Sequence, residues 1–234
     1  MKTLENKIAV ITGASRGIGA AVAKRYAAEG AQTCLIARST KGLEEVDDAI
    51  RSKGGLAPVL IPLDLLEINR IDALGPSLLE RFGKLDILVG NAAMLGELSP
   101  LTHQDPKNFD KVVNLNVTAN YRLLRILDPL LRKSDAGRAL FVTSGVTQAS
   151  YPFWGPYAIS KAALEMMINT YAAQIAQTNI KVNLIDPAVV RTDMRAAAMP
   201  GEDPETLPHP DEITDIFVKL ASDACTHHGE RISV

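Results

Sequence analysis

Residues 8–19 read IAVITGASRGIG and join a short apolar run to a loop that contains three glycines. The run is typical of a strand that is buried on both faces of a parallel sheet. Apolar residues then recur at helical spacing up to Gly30, so the stretch predicts a strand, a glycine turn and a helix. Gly13, Gly17 and Gly19 let the backbone approach a pyrophosphate, whose charge would face the N–H groups of the new helix. We therefore expect a dinucleotide ligand at this turn.

The spacing of these glycines is Gly-x-x-x-Gly-x-Gly, which differs from the common dinucleotide fingerprint Gly-x-Gly-x-x-Gly. On this motif alone, an ordinary glycine-rich turn without a ligand is the alternative. Motifs elsewhere in the chain decide between a dinucleotide-binding turn and a turn without a ligand.

The rest of the chain alternates between apolar runs and stretches with helical periodicity. Strands are predicted at residues 33–37, 56–63, 85–89, 139–143, 180–185 and 231–234. Helices are predicted at residues 69–82, 105–132, 156–177 and 211–222, and another helix carries Leu43, Val46 and Ile50 on one face. Within residues 69–82, Gly75 and Pro76 are expected to shift the start of the helix or to kink it. The alternation predicts a single α/β domain over residues 1–234, a doubly wound parallel sheet (Rossmann fold) of about seven strands with helices on both faces. Ligands of such sheets bind beyond the carboxyl ends of the strands.

Composition restricts the class of partner. The chain has 234 residues with 47% hydrophobic side chains, enough for one well-buried domain, and its net charge is -2. With no basic run, the sequence disfavours nucleic acid and anionic membranes as partners, and it contains no signal-peptide core or membrane span. We expect a cytoplasmic protein with a small-molecule ligand. Cys34 and Cys225 lack metal-site spacing, so we expect reduced, packed cysteines and no metal.

A second group of residues suggests proton chemistry at the same edge of the sheet. Pro156 can sit in the first turn of its helix, so Tyr157 and Lys161 would lie on one face, and Ser144 follows the fifth predicted strand. A tyrosine with its ordinary pKa of about 10 is a poor acid or base at neutral pH. Lowering that pKa by ~3 needs about 4 kcal/mol, which the Lys161 ammonium and a cationic nicotinamide could supply. The alternative is a tyrosine–lysine pair on a helix surface.

In order and spacing, these motifs resemble the short-chain dehydrogenase/reductase family, classical type, over almost the entire chain. The resemblance implies that Tyr157 gives and takes the proton, that Lys161 activates it and binds the ribose, and that Ser144 orients the substrate oxygen. It also implies that Asn116 positions a water for proton relay. Aligning residues 109–110 with the start of that family motif selects Asn116 over Asn114.

The resemblance also implies a set of cofactor-binding residues around the glycine turn and the later strand ends. This set comprises Gly13, Ser15, Arg16, Gly17, Ile18, Gly19, Arg38, Asp64, Leu65, Asn91, Ala92, Tyr157, Lys161, Pro187, Val190 and Thr192. Two alanines depart from the family pattern, because Ala93 and Ala188 stand at positions that are usually glycine. If either alanine has a positive φ, strain of order 1 kcal/mol is expected.

By this resemblance the chain is an oxidoreductase that moves a hydride between a nicotinamide cofactor and a carbonyl or alcohol substrate. NADP(H) is the expected cofactor and NAD(H) the alternative, because Ala37 replaces the usual acid after the second strand and Arg38 and Arg16 could bind a 2′-phosphate. A catalytically weak NADP(H)-binding regulatory or scaffold protein is a second hypothesis. A nucleotide-sugar epimerase is a third, although about 40 residues beyond Thr192 leave little room for its substrate region.

Three further expectations concern the substrate and the assembly. A neutral, largely apolar substrate is predicted by residues that flank the catalytic positions, namely Met94, Leu95, Tyr151, Phe153, Trp154, Met194 and Met199. Core or subunit contacts are the alternative for several of them. Residues 195–210, rich in proline and alanine, are expected to form a mobile lid over the substrate. By resemblance we expect a homodimer or homotetramer packed through residues 105–132 and 156–177.

Overall fold

The computed structural model describes residues 2–234, in which seven parallel strands form one sheet. The strands are β1 (Ile8–Thr12), β2 (Gln32–Ala37), β3 (Val59–Pro62), β4 (Ile87–Gly90), β5 (Arg138–Val142), β6 (Lys181–Asp186) and β7 (Glu230–Ser233). Their order is β3-β2-β1-β4-β5-β6-β7, so the winding direction reverses between β1 and β4. This reversal opens the crevice where such sheets bind ligands. The predicted doubly wound α/β fold is confirmed, whereas a single domain over residues 1–234 stays a prediction.

Helices cover both faces of the sheet. They are α1 (Gly17–Ala28), α2 (Thr40–Ser52), α3 (Ile68–Ile71), α4 (Leu74–Phe82), α5 (Pro106–Val113), α6 (Ala119–Leu131), α7 (Gly155–Gln174), α8 (Asp193–Ala198) and α9 (Thr214–Ala221). Within residues 2–234, no helix is both long enough and apolar enough to cross a membrane.

Two apolar clusters, one on each face, bury the sheet. Adjacent residues of β1 point to opposite sides, so Ile11 packs in the cluster with Tyr26 and Phe217, and Val10 packs in the cluster with Leu123. All five side chains are fully buried, and each contributes on the order of 1.5–3 kcal/mol relative to exposure. The hydroxyl of Tyr26 donates a hydrogen bond of 3.0 Å to the carbonyl of Phe217, which joins α1 to α9. Burial on both faces explains why β1 reads as a continuous apolar run.

Several element boundaries differ from those predicted. β3 is limited to Val59–Pro62 instead of residues 56–63, because proline donates no ladder hydrogen bond and occurs at both ends of the strand. The predicted helix over residues 69–82 is divided into α3 and α4. Pro76 lies in the first turn of α4, where its missing N–H is not needed, and a Cβ at Gly75 would lie 3.0 Å from the carbonyl oxygen of Ile126.

The predicted helix over residues 105–132 is continuous but not α-helical throughout. A π-helical turn, Asn114–Thr118, separates α5 from α6. Such turns insert one extra residue and are frequent at functional sites. Asp105 caps α5 by accepting hydrogen bonds from the backbone N–H groups of Lys107 (3.2 Å) and Asn108 (3.3 Å), as expected for an N-cap.

The expected lid, residues 195–210, contains short helical turns joined by loops. α8 extends into it as far as Ala198, and a 3₁₀ turn follows at Pro204–Thr206. The guanidinium of Arg195 forms two hydrogen bonds to the carboxylate of Glu202, at 2.5 and 2.7 Å. This pair ties the two parts of the segment together. Its mobility stays a prediction.

Candidate active site

Most of the predicted site residues line one cavity of about 1410 Å³. It lies at the carboxyl edge of the sheet, beyond the crevice between β1 and β4. The lining includes Gly13, Ser15, Arg16, Gly17, Ile18, Arg38, Asp64, Leu65, Asn91, Ala92, Ser144, Tyr157, Lys161, Pro187, Val190 and Thr192. Only Gly19 and Asn116 of the predicted set do not line this cavity.

The glycine turn forms the part of the cavity wall next to β1. Gly13 has a φ of 66° and Gly17 a φ of 54°, which other residues adopt at a cost. A Cβ at Gly19 would lie 2.3 Å from the carbonyl oxygen of Gly13, so Gly19 allows close packing of helix and turn instead of facing the cavity. The side chain of Asn91 donates a 2.9 Å hydrogen bond to the carbonyl of Thr12 and so joins the end of β4 to the turn.

α1 begins at Gly17, beside the cavity. The N-cap residue, Arg16, makes no side-chain capping hydrogen bond, so the first backbone N–H groups of α1 are not satisfied by that side chain. Together with the helix dipole, these N–H groups favour a negatively charged ligand group. The geometry therefore suits a pyrophosphate.

Tyr157 and Lys161 lie on one face of α7, next to the end of β5. Their exposed fractions are 7% and 2%. The ammonium of Lys161 lies 5.7 Å from the centroid of the Tyr157 ring and donates a 2.8 Å hydrogen bond to the carbonyl of Val142. Ser144 lies two residues after β5, and its hydroxyl oxygen accepts a 3.4 Å hydrogen bond from the N–H of Val146. The three side chains that the sequence grouped together thus meet at one end of the cavity.

Burial dominates the electrostatics of this group. Desolvation raises the pKa of Tyr157 to about 12, although a hydrogen bond with Ser144 lowers that pKa, and Asp186 raises it. Desolvation lowers the pKa of Lys161 to about 8, and Glu165 opposes that change. In the protein alone, desolvation is the largest of these effects on Tyr157. Further positive charge beside the tyrosine is needed before its pKa falls to neutrality.

Asn116 lies behind the cavity wall and is fully buried in the π-helical turn. Its amide oxygen accepts a hydrogen bond from the N–H of Met94, and its amide nitrogen donates to the Met94 carbonyl and to the Ser160 hydroxyl, each at 2.9 Å. The side chain therefore fixes the backbone of Met94, which lines the cavity. Asn114 is exposed on the surface. A role for Asn116 in positioning water stays a prediction.

Arg16 and Arg38 also line the cavity, with side chains that are 75% and 69% exposed. Arg38 follows the last residue of β2, and its guanidinium lies 3.8 Å from the carboxylate of Asp64. Arg16 lies 3.5 Å from Asp193 of α8. Exposed ion pairs of this kind contribute only about 0–1 kcal/mol, so either arginine can exchange its partner for a phosphate at little cost.

The loop after β6 carries one of the two unusual alanines. Ala188 has a φ of 55°, in the left-handed region, whereas Ala93 does not have a positive φ. The expected strain is therefore present at Ala188 alone. Its N–H donates a 3.1 Å hydrogen bond to the carboxylate of Asp186, and Thr192 caps α8 by accepting from the N–H of Arg195 at 3.2 Å. These bonds hold both ends of the loop beside the cavity.

A family model described as short chain dehydrogenase matches residues 7–203. The chain belongs to the short chain dehydrogenase family. It is 37% identical over 222 residues to the uncharacterized oxidoreductase YciK of Escherichia coli strain K12, which covers 94% of this chain and 88% of that protein. The predictions of the family and of an oxidoreductase are confirmed.

Solved structures of short chain dehydrogenases superpose closely on this one. A structure from Pseudomonas syringae has a TM-score of 0.96 at 35% identity and covers 99% of this chain and 96% of its own. A structure from Escherichia coli CFT073, complexed with NADPH, has a TM-score of 0.95 at 36% identity and covers 100% of this chain and 98% of its own. The fold of the family therefore extends over the whole described chain.

Four of the seven side chains expected around the substrate of this dehydrogenase do line the cavity: Met94, Leu95, Trp154 and Met194. Tyr151, Phe153 and Met199 do not line it and are exposed. Tyr151 and Phe153 lie in the loop before α7, where Phe153 has a φ of 74°, and Met199 follows the last residue of α8. For these three, the expected place beside the substrate was wrong.

Other residues of this dehydrogenase lie at the site without having been predicted from the sequence. Leu115 and Ala197 add apolar lining, and Lys111 adds a charge. Glu165 and Asp186 act on the pKa values of Lys161 and Tyr157. Glu165 carried a recognisable signal, because it follows Lys161 by four residues on the same helix face.

Proposed function

We propose that this chain is an NADP(H)-dependent oxidoreductase that transfers a hydride between the nicotinamide and a carbonyl or alcohol carbon. The observation that carries the proposal is the group of Ser144, Tyr157 and Lys161 at one end of the cavity, in which the tyrosine and the lysine are buried. Bound there, the cofactor would supply or accept the hydride. What remains for the protein is to bind and orient both reactants and to move one proton.

The cavity suits a dinucleotide in shape and charge. The glycine turn and the beginning of α1 offer backbone N–H groups for the pyrophosphate, and the loop of Pro187, Val190 and Thr192 lies at the nicotinamide end. The relative from Escherichia coli CFT073 was crystallised with NADPH. We infer the same cofactor for this chain.

The proton transfer takes place at the Tyr157 hydroxyl. Lys161 keeps its ammonium beside the tyrosine through the hydrogen bond to Val142, and at pH 7 it is mainly protonated because its pKa is about 8. Ser144 makes a hydrogen bond that favours the tyrosinate. Reduction uses the protonated tyrosine as a general acid, and oxidation uses the tyrosinate as a general base.

The preference for NADP(H) rests on Ala37, Arg38 and Arg16. An acid at the end of β2 would repel a 2′-phosphate, and this chain has Ala37 there instead. Guanidinium groups bind phosphate through charge-assisted hydrogen bonds, and both arginines line the cavity.

A neutral and largely apolar substrate is supported by Met94, Leu95, Trp154 and Met194, which form apolar lining near Tyr157. The expectation of a homodimer or homotetramer stays a prediction. It is supported by Tyr121 of α6 and by Ile159 and Met166 of α7, since these large apolar side chains are exposed on the helices expected to form the contact.

The proposal is tested with a panel of neutral carbonyls and alcohols, following NADPH absorbance. Tyr157→Phe removes the transferred proton and retains the ring, so turnover should fall at least ~100-fold, as loss of general acid catalysis implies. Binding of NADPH should survive. Tyr171→Phe is the matched control, because Tyr171 lies on the same helix but bonds to Asp128, at 2.7 Å.

The outcomes separate enzyme from binding protein. Turnover of Tyr157→Phe at the parent rate would refute the mechanism. NADPH binding by the parent without turnover of any member of the panel would favour the regulatory or scaffold hypothesis.

A further inference from the structure

Arg231, on the edge strand β7, reaches across β6 toward the catalytic group. Its guanidinium donates hydrogen bonds to the carboxylates of Asp186 (2.7 Å) and Glu165 (3.2 Å) and to the backbone carbonyl of Ser144 (3.4 Å). A fourth, at 3.5 Å, goes to the hydroxyl of Ser233. The Arg231 side chain is only 23% exposed. One cation therefore connects two carboxylates to the loop that carries Ser144.

Glu165 clamps that loop from the side of α7. One of its carboxylate oxygens accepts hydrogen bonds from the hydroxyls of Thr143, at 2.6 Å, and Thr147, at 2.9 Å. These threonines stand on either side of Ser144. The same oxygen accepts the hydrogen bond from Arg231, so the charge of Glu165 is both solvated by hydroxyls and paired.

Asp186, the last residue of β6, acts on the catalytic tyrosine through its charge. It raises the pKa of Tyr157, because a nearby negative charge disfavours the tyrosinate. Its side chain is largely buried, so water screens it weakly, and Arg231 is its cationic partner. Without that partner, its full charge would act on the tyrosine.

We propose that Arg231 is a positioning residue for proton transfer, which holds the Ser144 loop and neutralises Asp186 and Glu165 so that the Tyr157 tyrosinate can form. This inference rests on the proposed function of Tyr157. Arg231 would then influence proton transfer from the edge strand, without contacting the reacting atoms.

The charged and polar groups that face Tyr157 and Lys161 determine in which direction their pKa values change when Arg231 is replaced. Tyr157 faces Lys161 on α7, Asp186 on β6 and the Ser144 hydroxyl after β5, and Lys161 is acted on by Glu165. Removing the positive charge of Arg231 favours the protonated form of both Tyr157 and Lys161. The apparent pKa values of this coupled pair therefore move upward together.

The test is an ultraviolet difference titration of tyrosinate in the NADP⁺ complex, with the titration of Tyr157→Phe subtracted. Arg231→Gln should raise the midpoint by roughly half a pH unit or more, and Arg231→Lys should restore most of the parent value. The double variant Arg231→Gln with Asp186→Asn removes one charge of each sign and should return toward the parent. Arg51→Gln is the control, because Arg51 is exposed on α2 and pairs with Asp47 at 3.8 Å, and it should leave the midpoint unchanged.

The apparent pKa in the pH profile of alcohol oxidation should rise by the same amount. NADPH affinity should change less than about twofold, because none of the hydrogen-bond partners of Arg231 is among the residues assigned to the cofactor. An unchanged midpoint in Arg231→Gln would overturn the inference, even if the variant were less stable. Should Arg231→Gln not fold, Asp186→Asn alone must lower the midpoint. The titration requires cofactor binding but no turnover. If the parent shows no turnover and Arg231→Gln still raises the midpoint of the tyrosinate titration, the proposed function is refuted and the electrostatic role of Arg231 stands.

Discussion

Lys161 holds a positive charge where almost no water reaches it, so replacing it with methionine should relieve a cost to folding while it ends catalysis. The side chain is 2% exposed, and its ammonium donates to the carbonyl of Val142 at 2.8 Å. Methionine is unbranched and apolar and can fill the same narrow space. The variant Lys161→Met therefore separates what the lysine does for stability from what it does for chemistry.

The magnitude follows from the pKa of Lys161, which burial lowers from 10.5 to about 8. That difference corresponds to about 3 kcal/mol of destabilisation at pH 7. Because the pKa of the native state is below that of the unfolded state, the full cost applies below pH 8 and is lost as the pH rises toward 10.5. Between pH 7 and pH 10 the parent should gain about 2.5 kcal/mol relative to Lys161→Met. The lost hydrogen bond to Val142 offsets about 1–3 kcal/mol, which leaves the variant about 0–2 kcal/mol more stable at pH 7.

Urea unfolding followed by circular dichroism at pH 7 and pH 10 measures this difference. The control is Lys219→Met, because Lys219 is exposed on α9, and its stability should change with pH in parallel with the parent. Turnover of Lys161→Met should fall at least ~100-fold at both pH values, since the tyrosine loses its cation. Parallel pH dependence of the parent and Lys161→Met would refute the reasoning, because it would mean that Lys161 is not an ionised, desolvated group in the native state.

Two further predictions concern the ends of the cavity. Arg38→Asp should weaken NADPH at least ~10-fold more than NADH, because it replaces a charge-assisted contact to the 2′-phosphate with repulsion; equal losses in the dissociation constants of both cofactors would contradict this. Ala188→Gly should stabilise the fold by about 0.5–1 kcal/mol, since the strain relieved at a φ of 55° exceeds the extra entropy of an unfolded glycine. Thermal unfolding should show a rise in Tm of a few degrees, and a lower Tm would mean that the loop carries no such strain.

The order of the strands and helices could be predicted because central parallel strands are continuous apolar runs. β1, β2, β5 and β6 were each predicted to within about one residue at either end, since packing against helices on both faces requires such runs. The edge strand β7 was also predicted. Gly75 and Pro76 marked the place where the predicted helix over residues 69–82 is divided, but the sequence could not predict the π-helical turn at Asn114–Thr118. That turn depends on how the helix packs and not on its own residues.

The candidate site was predictable where its residues stand at fixed short spacings. Tyr157 and Lys161, four apart on one helix, and the glycine turn are local features, and all line the cavity except Gly19. Arg231 is different, because its contact with Glu165 joins residues 66 positions apart and requires the β6–β7 pairing to form first. Apolar side chains before α7 also misled the prediction, since proximity in sequence to Tyr157 does not determine on which side of a loop a side chain lies.

The cluster combines two cations, Lys161 and Arg231, with two carboxylates, Glu165 and Asp186, so as a whole it carries no net charge. A neutral group of paired charges is less costly to bury than a single ion, because each charge is partly solvated by its neighbour. Moving the proton of Tyr157 nevertheless changes the charge beside this cluster by one. A substitution that leaves the cluster with a net charge therefore changes the equilibrium between protonated and ionised Tyr157, and not only the equilibrium between folded and unfolded chains. It follows that the pH dependence of the reaction distinguishes a positioning role for Arg231 from a purely structural one, whereas a change in stability alone does not.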